Sequence, residues 1–63
     1  MGNNLAIIRK NRNMTQEELA DKLSVSRQYI SDVERNKKNP SLFMALRLSS
    51  ILDANLDEIF YLK

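Results

Sequence analysis

The 63-residue chain has no cysteine and no histidine, and it holds a single glycine and a single proline. Without cysteine there is no disulfide, and with no run of metal-ligand spacing there is no zinc site to compensate for the thin core that so short a chain buries. The missing histidine removes the commonest general base near neutral pH. No 18-residue apolar run, signal-peptide core or low-complexity linker is present, so no membrane anchorage or targeting segment is expected. What remains is rich in leucine and isoleucine and nearly free of helix breakers. The expectation is one cytoplasmic, all-α domain spanning residues 1–63, or a fragment of a larger protein, held together by helix packing alone with no cofactor and no metal.

Charge is uneven along the chain. Residues 1–47 hold nine Lys or Arg against five Asp or Glu, whereas residues 48–63 hold one against three. The basic part therefore lies in the first three quarters, as it would if that part faced a polyanion. Solvated surface charge produces the same asymmetry.

Periodicity and caps predict five short helices. The first runs from about Asn4 to Asn11, with Leu5, Ile8 and Arg12 at helical spacing. The second starts at "TQEE", a capping box with Thr15 at the N-cap and Glu18 three residues on, and Met14 is placed to staple to Leu19. Leu19, Ala20 and Leu23 give it a narrow buried stripe. Ser26 caps a third helix that reaches about Arg35, with Ile30 and Val33 facing inward and Asn36 ending it in a left-handed conformation. Pro40 resets the chain, and Ser41 caps a fourth helix, about Leu42 to Leu52. That helix carries two apolar stripes, Leu42, Ala45, Ser49 and Leu52 on one side and Met44, Leu48 and Ile51 on the other. It is therefore central to the fold or covered by a partner. "NLDE" caps a fifth helix leading into Ile59, Phe60 and Leu62.

The third helix is conspicuously polar. Only a cap and a tight turn separate it from the second, which is a helix-turn-helix arrangement, and its inner side is supplied by Ile30 and Val33. Ser26, Arg27, Gln28, Ser31 and Asp32 are left for exposed surface. A helix entering the major groove by its N-terminus brings its first-turn side chains to the base edges. Arginine forks onto guanine O6 and N7, and glutamine onto adenine N6 and N7. Asp32, one turn beyond Gln28, has two readings: it accepts from cytosine N4, or it orients Arg27 or Gln28 and repels phosphate at wrong registers. Gln16 and the free N–H groups at the start of the second helix are placed to meet a phosphate. Lys37 and Lys38 add phosphate attraction or simply solvate a loop. Tyr29 packs on the flank of the helix or reaches the DNA backbone with its hydroxyl.

With these residues placed, the stretch "TQEELADKLSVSRQYISDVERNKKNPS" followed by "LDEIF" resembles the Cro and phage-repressor family of helix-turn-helix proteins, the XRE type. The likeness covers nearly the whole chain. It implies a compact five-helix repressor-like domain in which helices two and three form the DNA-binding unit. It also implies base contacts from Ser26, Arg27, Gln28 and Asp32, and phosphate contacts from Gln16, Asn36, Lys37 and Lys38. The family pattern further suggests that Arg9 pairs with Glu34, an ion pair that a carboxylate near the inward side requires. Two departures stand out. Ser24 and Asn36 occupy positions where the family often has glycine, at a cost of about 1 kcal/mol for a left-handed serine and less for asparagine.

The resemblance implies a small bacterial or phage transcriptional regulator, a homodimeric repressor acting on double-stranded DNA in the cytoplasm. RNA polymerase would be a partner only if the protein activates. Restriction-system controllers and antitoxins belong to the same DNA-binding class. Dimerisation needs an apolar surface away from the reading helix, and Met44, Leu48, Ile51, Tyr61 and Leu62 are the candidates, with the tail "FYLK" also able to complete the monomer's core. Two other classes compete. An enzyme would need a nucleophile, base and oxyanion donors in one cleft, and Ser26, Asp32 and Glu34 have no histidine or metal to join. A helical module that binds another protein would use the same apolar patches without reading DNA.

Overall fold

The computed structural model describes residues 2–62. Five helices follow one another as α1 (Leu5–Asn11), α2 (Gln16–Leu23), α3 (Arg27–Glu34), α4 (Leu42–Leu52) and α5 (Leu56–Ile59). The domain is all-α apart from a clasp between its ends. There β1 (Gly2–Asn3) pairs antiparallel with β2 (Phe60–Tyr61), Gly2 opposite Tyr61 and Asn3 opposite Phe60.

Side chains at the caps set the helix boundaries. The Thr15 hydroxyl accepts from the Glu18 N–H at 3.0 Å, and the Glu18 carboxylate accepts from the Thr15 N–H at 2.9 Å. This is the reciprocal box expected of "TQEE". The Thr15 N–H, then its hydroxyl, hold the Glu18 carboxyl below its ordinary pKa, with Lys22 adding a smaller pull in the same direction. Ser26 and Ser41 accept from the N–H groups of Tyr29 and Met44 at 3.1 and 3.2 Å, so α3 and α4 each begin on a serine cap. The Asn55 N–H donates to the Glu58 carboxylate at 3.1 Å at the start of α5.

Left-handed residues turn the chain between helices. Ser24 (φ 60°) ends α2, and Asn36 (φ 61°) follows α3, as the sequence indicated. Asn13 and Asp53 are left-handed as well, a feature that the absence of glycine concealed. Two arginines cap helix ends by bonding to backbone oxygens. Arg12 donates to Leu52 and Asp53 at the end of α4, at 2.8 and 3.3 Å. Arg47 donates to Leu23 and Lys22 at the end of α2, at 3.1 and 3.2 Å. Both place a cation where the helix dipole is negative.

Leu5, Leu19, Leu23, Ile30, Val33, Leu48, Leu52 and Ile59 form the fully buried core. α4 is central, packed against both α2 and α5. Its buried line is Ala45, Leu48 and Leu52, flanked by half-buried Met44 and Ile51. Two expectations are corrected here. Leu42, grouped by spacing with Ala45, Ser49 and Leu52, is 70% exposed and borders an open groove while Ala45 and Leu52 are buried. Leu48, a candidate for the dimer interface, has no exposed surface: its spacing of three from Ala45 and four from Leu52 turns it into the core. It is therefore unavailable to a partner.

The fifth helix is also shorter than its pattern suggested. It is a single turn, and Phe60 is already extended (φ −119°, ψ 142°), because pairing with β1 takes over its backbone bonds. Asn4 closes the same corner, donating its N–H to Ile59 at 2.7 Å and its side-chain amide to Glu58 at 3.2 Å. The Tyr61 ring lies over Gly2 so closely that a Cβ there would stand 2.5 Å from it. A side chain at this position would require the Tyr61 ring to move.

Candidate nucleic-acid interface

The turn from α2 to α3 is three residues, Ser24 to Ser26, with the Val25 N–H bonded back to the Ala20 carbonyl at 3.0 Å. α2 and α3 form the most extensive helix pair in the molecule, their buried residues being Leu19, Ala20 and Leu23 on one and Ile30 and Val33 on the other. The opposite side of α3 is polar, and its N-terminal end carries Ser26, Arg27 and Gln28, all exposed. Among the described residues, the Arg27 guanidinium has no hydrogen bond or ion pair. The Ser26 oxygen accepts the capping bond and keeps its own proton to donate.

Ser31 and Asp32 are half-buried, where full exposure was expected. The Gln28 amide nitrogen donates to the Asp32 carboxylate at 2.9 Å, and the Lys38 ammonium stands 3.8 Å from the other carboxylate oxygen. The Lys37 and Lys38 N–H groups bond to the Asp32 backbone carbonyl at 2.8 and 3.3 Å, which holds the loop after α3 against the helix. The Lys38 ammonium also lies 5.9 Å from the centre of the Tyr29 ring. The Tyr29 ring is half-buried and packs against the core.

Behind this surface α3 is fixed by a buried ion pair. Arg9 donates through Nε and Nη2 to the two oxygens of Glu34, at 2.7 and 3.3 Å, and through Nη1 to the Met14 carbonyl at 2.7 Å. The two side chains are 8% and 6% exposed. Gln16 completes the set by donating its amide to Glu34 at 2.9 Å. One carboxylate thereby ties α1, the start of α2 and the end of α3 together, and among the described residues no buried side-chain nitrogen or oxygen is left without a partner, the condition under which a buried ion pair is tolerated. Gln16 and Arg27 also border an open depression of about 420 Å³, with Arg9, Met14, Thr15 and Glu17 around it. Asn36, Lys37 and Lys38 are exposed beyond the other end of α3. Asn3 holds that end, donating to the Val33 carbonyl and the Asn36 side chain at 2.8 and 3.0 Å. Nothing in the local sequence pattern joins residue 3 to residue 36.

A second surface is apolar. Leu42, Phe43 and Leu46 of α4 and Tyr61 and Leu62 of the tail are exposed, whereas Met44 and Ile51 are half-buried. Pro40, Leu42, Ala45, Leu56 and Phe60 line an open groove of about 390 Å³ beside Asp57. Phe43 and Leu46 escaped the sequence reading because a stripe pattern registers only residues at core spacing.

The Helix-turn-helix family profile matches residues 5–59. The chain belongs to the XRE and Cro type of helix-turn-helix regulators. An uncharacterised HTH-type transcriptional regulator of Methanocaldococcus jannaschii is 42% identical to this regulator over 60 residues, 95% of this chain and 91% of that one. The restriction-modification controller protein C.AhdI of Aeromonas hydrophila has a similar structure, with a TM-score of 0.80 and 36% identity over 89% of this chain and 85% of that one. SinR of Bacillus subtilis, the master regulator for biofilm formation, solved in complex with DNA, gives a TM-score of 0.75 and 34% identity over 82% and 84%. Regulators of this family bind DNA and are not catalysts. Among the described residues of this one, no helix is long and apolar enough to cross a membrane.

Proposed function

We propose that this regulator is a homodimeric repressor that reads a palindromic operator in double-stranded DNA. The observation that carries the reading is the first turn of α3. Ser26, Arg27 and Gln28 are exposed there on a helix held from behind by the buried Arg9–Glu34 pair. With α3 in the major groove, Arg27 forks onto guanine and Gln28 lays its amide edge against adenine, while the Ser26 hydroxyl serves either base. Asp32 belongs to the same face one turn on. Gln16 at the start of α2, and Asn36, Lys37 and Lys38 after α3, meet phosphates on either side and fix the register. The likeness to SinR, solved in complex with DNA, supports this placement.

Dimerisation is in keeping with the small size of the domain, which offers a half-site few contacts. Its Cα envelope measures 28 × 22 × 20 Å. A palindromic operator needs two copies whose reading helices stand about 34 Å apart, one turn of DNA. The exposed apolar residues of α4 and the tail, Leu42, Phe43, Leu46, Tyr61 and Leu62, supply the contact, with Met44 and Ile51 at its margin. A dimer seated over a promoter in the cytoplasm excludes polymerase. A site placed beside the promoter would instead bring it against RNA polymerase as an activator. The likeness to C.AhdI supports the restriction-system controller as a version of the same activity.

Selection from random duplexes, followed by titration of the winner at stated salt, tests the proposal. Arg27→Ala and Gln28→Ala are each expected to weaken binding by about 1–3 kcal/mol, roughly 5- to 150-fold, with unchanged thermal melting. A protein that enriches no duplex, yet loses a protein partner when Phe43 is changed, is a helical interaction module instead.

A further inference from the structure

We propose that Asp32 is a positioning residue that fixes the polarity of the Gln28 amide, so that this position of the operator is read as adenine and guanine is rejected. The inference rests on the DNA-reading role of α3 proposed above. Three observations carry it. The Gln28 amide nitrogen donates to one Asp32 oxygen at 2.9 Å, across one helical turn. The Asp32 side chain is only 14% exposed, so it is set back from a base edge that Gln28 reaches freely. Its second oxygen faces the Lys38 ammonium at 3.8 Å, and the Lys37 and Lys38 N–H groups bond to the Asp32 carbonyl, so the loop holds the carboxylate in place and offsets its charge.

The consequence is chemical. A primary amide carries two N–H protons and one oxygen. Unrestrained, glutamine can turn both protons toward the two acceptors of guanine, or its oxygen and one proton toward the donor and acceptor of adenine. With one proton committed to Asp32, the outward edge holds the oxygen and the remaining proton. That edge matches adenine N6 and N7. Against guanine O6 and N7, it would set an oxygen against an acceptor. Turning the amide over would bring its oxygen against the Asp32 carboxylate, so the polarity is held. Asp32 thus shapes specificity through Gln28 without touching the base.

The position read by Gln28 is identified as the base pair whose preference disappears in Gln28→Ala. At that pair, Asp32→Ala is expected to lose adenine-over-guanine discrimination by about tenfold. Asp32→Asn, whose amide can either accept from or donate to Gln28, is expected to lose it as well. Discrimination unchanged in Asp32→Ala, relaxation at a different base pair, or full discrimination kept in Asp32→Asn overturns the inference while leaving sequence-specific binding intact. Side-chain amide NMR of the free protein provides a readout without DNA. The two Gln28 Nε2 protons should resonate apart from free glutamine in the native chain and move toward it in Asp32→Ala. Unchanged shifts overturn the inference as well. If the native chain enriches no duplex, the function proposed above fails, and this inference fails with it.

Discussion

Arg9 is a cation at 7% exposure whose charge is answered, among the described residues, by Glu34 alone, with the Met14 carbonyl accepting from Arg9 and Gln16 donating to Glu34. Removing the carboxylate leaves the guanidinium buried and uncompensated, so Glu34→Ala is expected to cost about 3–5 kcal/mol. A domain of this size has roughly that much stability in total. Urea denaturation should therefore find the variant largely unfolded at 25 °C, and a midpoint close to that of the native chain would contradict the role given to the pair. Ser24 makes the opposite case. Its left-handed backbone strains a residue with a Cβ, and Ser24→Gly should raise stability by about 1 kcal/mol, read as a higher thermal midpoint. Residues whose roles are local were legible in the sequence: Thr15, Ser26 and Ser41 as caps, Ser24 and Asn36 as turns. Gly2 was not, because the ring that lies over it belongs to Tyr61 at the other end of the chain. Nor were Arg12 and Arg47, whose partners are backbone oxygens of distant helices.

Among the elements, α2 shows most directly how one short motif controls a helix and responds to pH. Folding lowers the pKa of Glu18, so the native state binds fewer protons there than the unfolded chain. The stabilisation is complete above the ordinary glutamate value of 4.5 and is lost as pH falls through the lower folded value. Melting of the native chain and of Glu18→Gln across pH should show a gap at pH 7 that closes in acid. A gap independent of pH would mean that the box acts through shape alone. Thr15→Ala removes the hydroxyl half of the same box and should cost about 1 kcal/mol, or roughly 4–8 °C in midpoint. The existence and order of the helices were legible because apolar spacing marks α1 and caps and apolar spacing agree over α2 to α4. The end of α5 was not, because "IFYLK" suits one more helical turn as well as a strand, and pairing with Gly2 and Asn3 decides the matter. α4 misled for a related reason. Two stripes say that a helix has two neighbours, but they do not say which residues of a stripe are covered, and so Leu48 was offered to a partner although it is buried, and Leu42 shares a stripe with buried residues although it is exposed.

For the whole molecule, the claim is a division of surfaces: a polar face on α3 for bases, and an apolar face on α4 and the tail for a second copy. Phe43 is 68% exposed, so Phe43→Asp should leave the fold intact. It should shift sedimentation toward the monomer and reduce operator affinity through loss of the paired half-site. The polar face was legible because a helix of this polarity beside a tight turn has few other uses. The apolar face was legible only in outline, since exposure is a property of the packed fold. The most direct test is a salt titration of the native chain on its selected duplex, with stoichiometry measured on the same samples. The account predicts an inverted repeat bound by two chains, with log K falling linearly against log salt and the slope flattening by about 0.9 for each phosphate contact removed in Lys37→Ala. It also predicts that Arg27→Ala loses preference at one base pair in each half-site. Equal binding to any duplex, or a single chain bound without symmetry, would contradict it.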